Sequence, residues 1–440
     1  MIPNWTGNVS AIRAIVAAAR RLQREQWLSA EQLAGRRRRR LRRVLSRAAA
    51  APYYQDALAG AGIVDPRLAT PGTLPRLPRL DRERIARRGI GAFLTVPEEG
   101  LIAVTTSGST GTPGRFFRSR LEEAEYSARW MRVYSAYDCS ALDAQVNVAT
   151  AAKPDRAGAL TALRRLGIVP RVERLAAGAP PAEVLARVQA IQPPILTGYA
   201  GAIESLAEHV LATGARVHPP RAVFCTAMEV TDHCLEITAR AFQAPAVDVY
   251  VTNEFGVIAW SCPIRHDVLH LNDDSFIVEV LDAEGQPVPD GAVGELVITS
   301  LDLTCMPLIR YRMGDMAARL PGRCECGRGL GMMSRVQGRT AHTIPRPDGG
   351  RIITPLVTNL FGRAKAYEWV RKFQVRELPG HRLRVLLDER RPPTSEQHAT
   401  LLGTLRSGLG PGFDIELETV ERIPPAPSGK LQFIVPLPAT

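Results

Sequence analysis

An α/β fold in two parts is what this sequence predicts: a large N-terminal domain of layered α/β sheets plus a β-rich subdomain, with a small α+β C-terminal domain. Three observations predict it. From about residue 100, short β-branched runs (LIAVTT, AQVNVAT, PPILTGY, RAVFCTA, APAVDVYVT) each lie near a helical segment, the pattern of helices layered on mainly parallel strands. Between residues 275 and 320 the texture changes to SFIVEVLDAEGQPVPDGAVGELVITSL. Two alternating strands there flank a Gly, Pro and Asp turn, which reads as antiparallel structure. Past residue 338 come shorter elements such as HRLRVLLDE and EQHATLLGTLRSGL, and no internal repeat is found. The expected division is a large domain over residues 1–337 and a small one over 338–440.

Residues 8 to 50 read as helices: Ile12, Ile15, Val16, Ala19 and Leu22 recur at helical spacing. A run of arginines, Arg36 to Arg40, follows, with Leu33, Leu41, Val44 and Leu45 able to line the opposite side. Such a run is either a nucleic-acid or membrane patch or a solvated helix face. No aromatic residues interleave the arginines as a single-strand binder needs, so the solvated face is the expectation. SRAAAAPYYQDALAGAG ends a helix at Pro52 and resumes it after the tyrosines.

The 440 residues carry 56 Lys+Arg against 44 Asp+Glu, a formal charge of +12 concentrated near the N-terminus. That balance fits nucleic acid, a membrane surface or acidic small molecules such as nucleotides. Seven unevenly placed cysteines do not make a disulfide framework in a chain of this size, so reduced thiols and a cytoplasmic setting are expected. No segment reaches the ~18 consecutive apolar residues of a membrane span. The first residues lack a basic stretch before their apolar run, which Arg13 interrupts, and no signal peptide is expected.

Thr105 to Arg118 reads TTSGSTGTPGRFFR. Gly, Ser and Thr in succession after a strand let backbone N–H groups and hydroxyls converge on phosphate oxygens. No Gly-Lys-Ser/Thr closes the loop, so it is not a Walker loop. The segment resembles the signature loop of the adenylate-forming superfamily, (S/T)SG(S/T)TGxPK. Thr106, Ser107, Gly108, Ser109, Thr110 and Gly111 thereby become candidate nucleotide-binding residues, with Pro113 also matching. The lysine that follows the proline in the family is Gly114 here, with Arg115 next.

The resemblance continues in the family's order. YVTNEFG, from Tyr250, is similar to the YGxTE motif. It implies that Tyr250 stacks on adenine, that Thr252 and Asn253 lie at the phosphates, and that Glu254 holds Mg²⁺. The family's threonine before the glutamate is Asn253 here. PLIRYRMGD resembles the YRTGD motif, whose aspartate, Asp315 here, accepts from both ribose hydroxyls; a carboxylate suits two donors. VQGRT matches the segment that opens the hinge, making Arg339 a candidate for ribose or phosphate contact. IPPAPSGKLQ matches the terminal motif and implies that Lys430 is the adenylation lysine, stabilising charge that develops at the α-phosphate. PYYQDALAGAG, LPRLPRLDRERI and GELVITSLDLTCMPLIRYR are similar to the phenylacetate–CoA ligase branch.

Cys262 lies in SCPIRHDVLHLNDD, and Cys324 and Cys326 lie in GRCECGRG. A C-x-C with a distant Cys and His can supply four ligands to tetrahedral zinc, and a full protein ligand set implies a structural site. Some ligases of this branch carry a similar pair of motifs. That resemblance favours His270 as the fourth ligand, with His266 as its rival. Cys139, Cys225, Cys234 and Cys305 lie in ordinary surroundings.

The resemblance implies ATP-dependent activation of a carboxylic acid, aryl or arylacetic, as acyl-AMP with release of pyrophosphate. Transfer to the thiol of coenzyme A follows. Ala341 and His342 stand where the family hinge has acidic residues, and IPRPDGGRIITP replaces the usual channel loop. An amine or a carrier-protein thiol therefore remains an alternative acceptor. By position, Tyr199, Ala227 and Met228 line the acyl pocket. The expected partners are small molecules rather than a membrane or nucleic acid, with a homodimer left open. A non-catalytic nucleic-acid-binding scaffold is the remote alternative, opposed by the joint retention of Glu254, Asp315 and Lys430.

Overall fold

The computed structural model describes residues 9–105, 114–149, 172–339, 343–347, 351–423 and 432–437. The chain divides into two compact units: Met1–Met313 with Ala317–Arg335, and Gly314–Met316 with Val336–Thr440. Among the described residues no helix is long and apolar enough to cross a membrane.

The first unit opens with helices α1 (Val9–Glu25), α2 (Ala30–Ala48), α3 (Pro52–Gly60) and α4 (Arg82–Arg88). Ser29 caps α2 by accepting from the Gln32 N–H, and the Gln32 side chain returns to the Ser29 N–H. Leu33, Leu41, Val44 and Leu45 are buried along α2, as their spacing requires. Its arginines are not all solvated, however. Arg36 meets the buried Glu25 at 2.6 Å, Arg40 meets Glu25 at 3.1 Å and Arg37 meets Asp273 at 3.3 Å. Arg38, Arg39, Arg43 and Arg47 are exposed. The helix expected to resume after Tyr53 and Tyr54 instead starts at Pro52. Proline suits the first helical position, where its missing N–H would have no partner.

Strands β1 (Ile102–Thr105) and β2 (Arg115–Arg118) pair antiparallel, with Thr105 opposite Arg115, so they bring together the two ends of the Gly/Ser/Thr segment. Helix α5 (Arg120–Ala136) follows, its Ser119 cap reciprocated by Glu122. Then come β3 (Gln145–Ala149), β4 (Val172–Ala176), α6 (Pro181–Ile191), β5 (Ile195–Tyr199), α7 (Ala200–Thr213), β6 (Ala222–Thr226), α8 (Asp232–Phe242) and β7 (Ala246–Thr252). Strands β3 to β7 pair in parallel. Along β6, Val223 and Cys225 enter one apolar cluster while Ala222 and Phe224 enter another, the alternation of a strand covered on both faces.

The sheet continues through β8 (Gly256–Ser261), β9 (Leu269–Leu271), β10 (Phe276–Leu281), β11 (Val293–Ser300), β12 (Tyr311–Leu320) and β13 (Met332–Met333). Its order across eleven strands is β10-β11-β12-β13-β9-β8-β7-β6-β5-β3-β4. The expected hairpin is present, with Phe276 opposite Ser300. Its second strand is buried from Gly294 to Ser300 rather than half solvated. Its polar residues are satisfied: Glu295 accepts from Arg312 at 2.9 Å, and the Thr299 hydroxyl accepts from the Arg310 N–H at 3.0 Å.

Asp248, buried in β7, donates its backbone N–H to the Ser261 hydroxyl at 3.1 Å. Burial pushes its carboxyl up to about 7, against the opposing pull of the Arg335 guanidinium. Between about pH 4 and pH 7 the folded chain holds a proton that the unfolded chain has released, so the cost of this residue grows with pH and levels off above 7. Asp248→Asn is therefore expected to gain stability relative to the parent between pH 5 and pH 8, by about 2–3 kcal/mol at most. Thermal melts of both proteins across that range check it; a pH-independent difference would contradict the assignment.

The second unit holds β14 (Ile344–Pro345), β15 (Arg351–Ile352), helix α9 (Thr354–Arg363), β16 (Val370–Leu378), β17 (Arg382–Glu389), helix α10 (Ser395–Leu409), β18 (Asp414–Val420) and β19 (Ile434–Val435). Four strands run β18-β17-β16-β19. They bury Trp369, Leu383 and Leu387 with Leu401 and Leu405 of α10, and Phe361 stacks on Phe373 at 4.1 Å.

Candidate functional site

Open α/β sheets bind ligands beyond the carboxyl ends of their parallel strands, and in the first unit three such ends carry candidates. Tyr199 closes β5 and precedes α7. Ala227 follows β6 with φ 64, in the region that disfavours a side chain. Met228 comes next, its thioether against Gly201. Tyr250, Thr252, Asn253 and Glu254 lie at the end of β7 and in the turn to β8.

That turn is fastened from several sides. The Phe255 N–H donates to the Thr252 hydroxyl at 3.2 Å, and Asn253 Nδ2 donates to the Thr105 carbonyl at 3.2 Å. Gly256, with φ 78, lies so close to the Tyr126 ring that a Cβ would collide with it. Glu254 is only 4% exposed and accepts from Arg82 Nη2 at 2.6 Å, while Arg82 Nε donates to the Tyr311 hydroxyl at 3.3 Å. Arg82 was not among the sequence candidates. It opens α4 in LDRER, where Asp81 caps the helix and Leu80 is held in register with Tyr311. Arg115, beside the missing family lysine, pairs with Glu98 at 2.7 Å and stacks over Phe117.

In the second unit Asp315 is buried and Arg339 Nε donates to its Oδ1 at 2.9 Å, the two residues forming an antiparallel bridge. Thr106, Ser107, Gly108, Ser109, Thr110 and Gly111 lie outside the described residues, as do Lys430, Ala341 and His342.

The structure also brings Cys262, His270, Cys324 and Cys326 together, their ligand atoms all within 4.8 Å of one another. Cys262 and Cys324 Sγ are 3.5 Å apart, and His270 Nε2 is 3.1 Å from Cys326 Sγ. His266 is exposed and stands outside this cluster; its carbonyl accepts from Arg335. Burial and the nearby Arg328 charge lower His270 to about 4, keeping the imidazole neutral as a ligand requires. Burial would raise the Cys326 thiol, but the Arg328 N–H and guanidinium bring it below its ordinary value. Metal–sulfur bonds of ~2.3 Å place two sulfurs of a tetrahedron ~3.8 Å apart, so the donor set fits a soft divalent ion.

No family model matches the sequence. Phenylacetate-coenzyme A ligase of Thermus thermophilus is 43% identical over 72 residues, 16% of this chain and 16% of its own length. The Pseudomonas putida enzyme of the same name is 35% identical over 98 residues, 22% of each chain. The matched segments thus span less than a quarter of these relatives. A crystal structure of 2-hydroxyisobutyryl-CoA ligase in its postadenylation state superposes with a TM-score of 0.76 at 18% identity, covering 94% of this chain and 91% of that one. The fold is that of the adenylate-forming ligases. An amide bond synthetase from Marinactinospora thermotolerans shares this fold at a TM-score of 0.54 and 19% identity, over 76% of this chain and 67% of that one. Within the adenylate-forming fold, the carboxyl ends of β5, β6 and β7 gather the candidates of the first unit.

Proposed function

We propose that the chain activates a carboxylic acid with Mg-ATP as an acyl-adenylate, releasing pyrophosphate, and passes the acyl group to the thiol of coenzyme A. The observation that carries this reading is the turn after β7. It holds Glu254 against Arg82 and is tied by Asn253 to Thr105, at the start of the Gly/Ser/Thr loop. Two segments separated by 148 residues meet there, and both match superfamily motifs. The adenylate-forming fold and the local similarity to phenylacetate-coenzyme A ligases support the same reading.

In this reading Glu254 would hold Mg²⁺, which supplies charge neutralisation at the phosphates. Tyr250 flanks the base and Asp315 accepts from the ribose. Lys430 stabilises the charge that grows as the carboxylate attacks the α-phosphate. The chain forms no covalent bond itself; it orients the reactants and offsets charge. Tyr199, Ala227 and Met228 bound the acyl group, with an aryl or arylacetic acid as its class. Cys262, His270, Cys324 and Cys326 would hold zinc as a structural ion, since four protein ligands leave no open position. An amine acceptor is the second reading, favoured by the departures at Ala341 and His342 and by the fold shared with an amide bond synthetase.

Pyrophosphate release from Mg-ATP, measured across aryl, arylacetic and aliphatic acids with and without coenzyme A, tests the proposal. Acid-dependent release that Lys430→Ala loses supports adenylation, and its response to coenzyme A identifies the acceptor. Release independent of any acid, or untouched in Lys430→Ala, would overturn it. Arg82 adds a finer expectation. Arg82→Ala frees the Glu254 carboxylate from its partner and should raise the KM for Mg-ATP about tenfold, equivalent to ~1.4 kcal/mol, with partial recovery in Arg82→Lys. Initial rates against ATP concentration measure it.

A further inference from the structure

Helix α4 carries a second basic feature beyond Arg82. Two adjoining recesses of about 500 and 490 Å³ share Tyr53, Arg84 and Arg88 in their walls. Arg87 completes one rim, and Arg76 with Asp56 the other. These volumes fall within the ~300–1,000 Å³ of small-molecule pockets. Arg84 Nη1 donates to the Tyr53 hydroxyl at 3.4 Å, and Arg76 Nη2 donates to the Ala61 and Gly62 carbonyls, so both guanidinium groups are positioned by neutral oxygens, with Asp81 acting on Arg84 only through space. Arg87 meets Glu83 only through an exposed contact at 3.7 Å. Among the described residues Arg88 has no acidic partner. Each recess thus presents three guanidinium groups, and Asp56 is the one carboxylate among the residues lining them. Apolar side chains line the second recess as well: the exposed Pro78 with the largely buried Leu77 and Tyr53.

A cationic rim beside an apolar lining recognises a flat body that carries several negative charges. Guanidinium groups are the side chains best matched to phosphate oxygens. At ~1.5 Å per residue, Arg88 lies only ~9 Å along the helix from Arg82, so a ligand here sits beside the Glu254 turn. We propose that this recess binds the phosphate-bearing end of an adenine nucleotide at a site separate from the Glu254 turn. Recognition of a multiply charged phosphate ester rests on the arginines and the apolar lining. The choice of adenine alone rests on the acyl-AMP reading above, whose substrates are adenine nucleotides. Two sources offer that chemistry, the nucleotide end of coenzyme A and a free nucleotide.

Equilibrium binding of adenosine 3′,5′-bisphosphate to the full chain, followed by calorimetry at low salt, tests the site. Saturable binding should weaken at least tenfold in Arg84→Ala/Arg88→Ala and in the charge reversal Arg88→Glu, and should weaken steeply with added salt. Arg88 is exposed, so Arg88→Glu folds even if loss of the Arg84–Tyr53 contact destabilises the double variant. Displacement of the bisphosphate by coenzyme A assigns the site to the acceptor; displacement by ATP but not by coenzyme A assigns it to a free nucleotide. Equal affinity in the parent and in Arg88→Glu, or no saturable binding to the parent, overturns the proposal. Binding is read without turnover, so failure of acid-dependent pyrophosphate release would leave this result standing, and the reverse holds too.

Discussion

Glu254→Gln and Lys430→Ala are each expected to lower kcat/KM for acid-dependent pyrophosphate release by about 10²–10³-fold, the effect of removing one preorganised charge from a developing anion. The two losses should differ in kind. Glu254 is buried and meets Arg82 at 2.6 Å, so glutamine keeps the shape of the turn while removing the charge that would hold Mg²⁺. Raising Mg²⁺ should recover part of the rate in Glu254→Gln and none in Lys430→Ala. The Asn253–Thr105 hydrogen bond and the Thr252–Phe255 contact do not involve the carboxylate, so the melting temperature of Glu254→Gln should stay near that of the parent. Steady-state pyrophosphate assays at several Mg²⁺ concentrations, with thermal melts beside them, separate these outcomes. Unchanged kcat/KM in Glu254→Gln would remove Glu254 from the chemistry.

The layered fold was legible because its signals are local. AVFCT and AVDVYVT are short, β-branched and bounded by turns or helices, and the hairpin from Phe276 to Ser300 announces itself by alternation around a Gly/Pro turn. Burial along β11 was not legible, because covering both faces depends on Arg310 and Arg312 supplying partners to its polar residues. The start of α3 at Pro52 is ambiguous for a local reason: proline stops a helix that precedes it, but its lack of an N–H equally fits the first turn of a new one. Arg82 could not be found from spacing, since its partners Glu254 and Tyr311 are 172 and 229 residues away. The arginine run of α2 shows the same limit. Composition identifies a basic helix, but only the packing of α1 and the loop around Asp273 shows which arginines turn inward. Cys262, His270, Cys324 and Cys326 stood out by residue type, and the meeting of β8, β9 and the C-x-C loop separates His270 from His266.

Metal analysis of the purified chain is expected to find zinc, and Cys324→Ser or Cys326→Ser to lose it with a fall in melting temperature of about 6–12 °C. That range corresponds to ~3 kcal/mol at the ~2–4 °C per kcal/mol of a large domain. The reason extends beyond the four ligands. Arg328, two residues after Cys326, lies with its guanidinium 4.8 Å from the Trp27 ring and 5.1 Å from that of Trp260, and its Nε donates to Gln26 Oε1 at 3.0 Å. The Gly329 N–H donates to the Gln26 carbonyl at 2.9 Å, and a side chain at Gly329 would run into the Leu28 carbonyl. The C-x-C loop is therefore the seat of the corner between α1 and α2. An ion that fixes this loop also fixes Arg328 and Gly329, and through them residues 26 to 28. Chelation or Cys326→Ser should consequently speed hydrogen exchange at Trp27 and Leu28 before it does so in β5 or β6, where the parallel core does not depend on the loop. Arg328→Ala should loosen the same corner while leaving the metal bound, which separates the seat from its ion. Retained melting temperature and unchanged exchange at the corner after metal removal would make the cluster a set of buried thiols with no hold on the N-terminal helices.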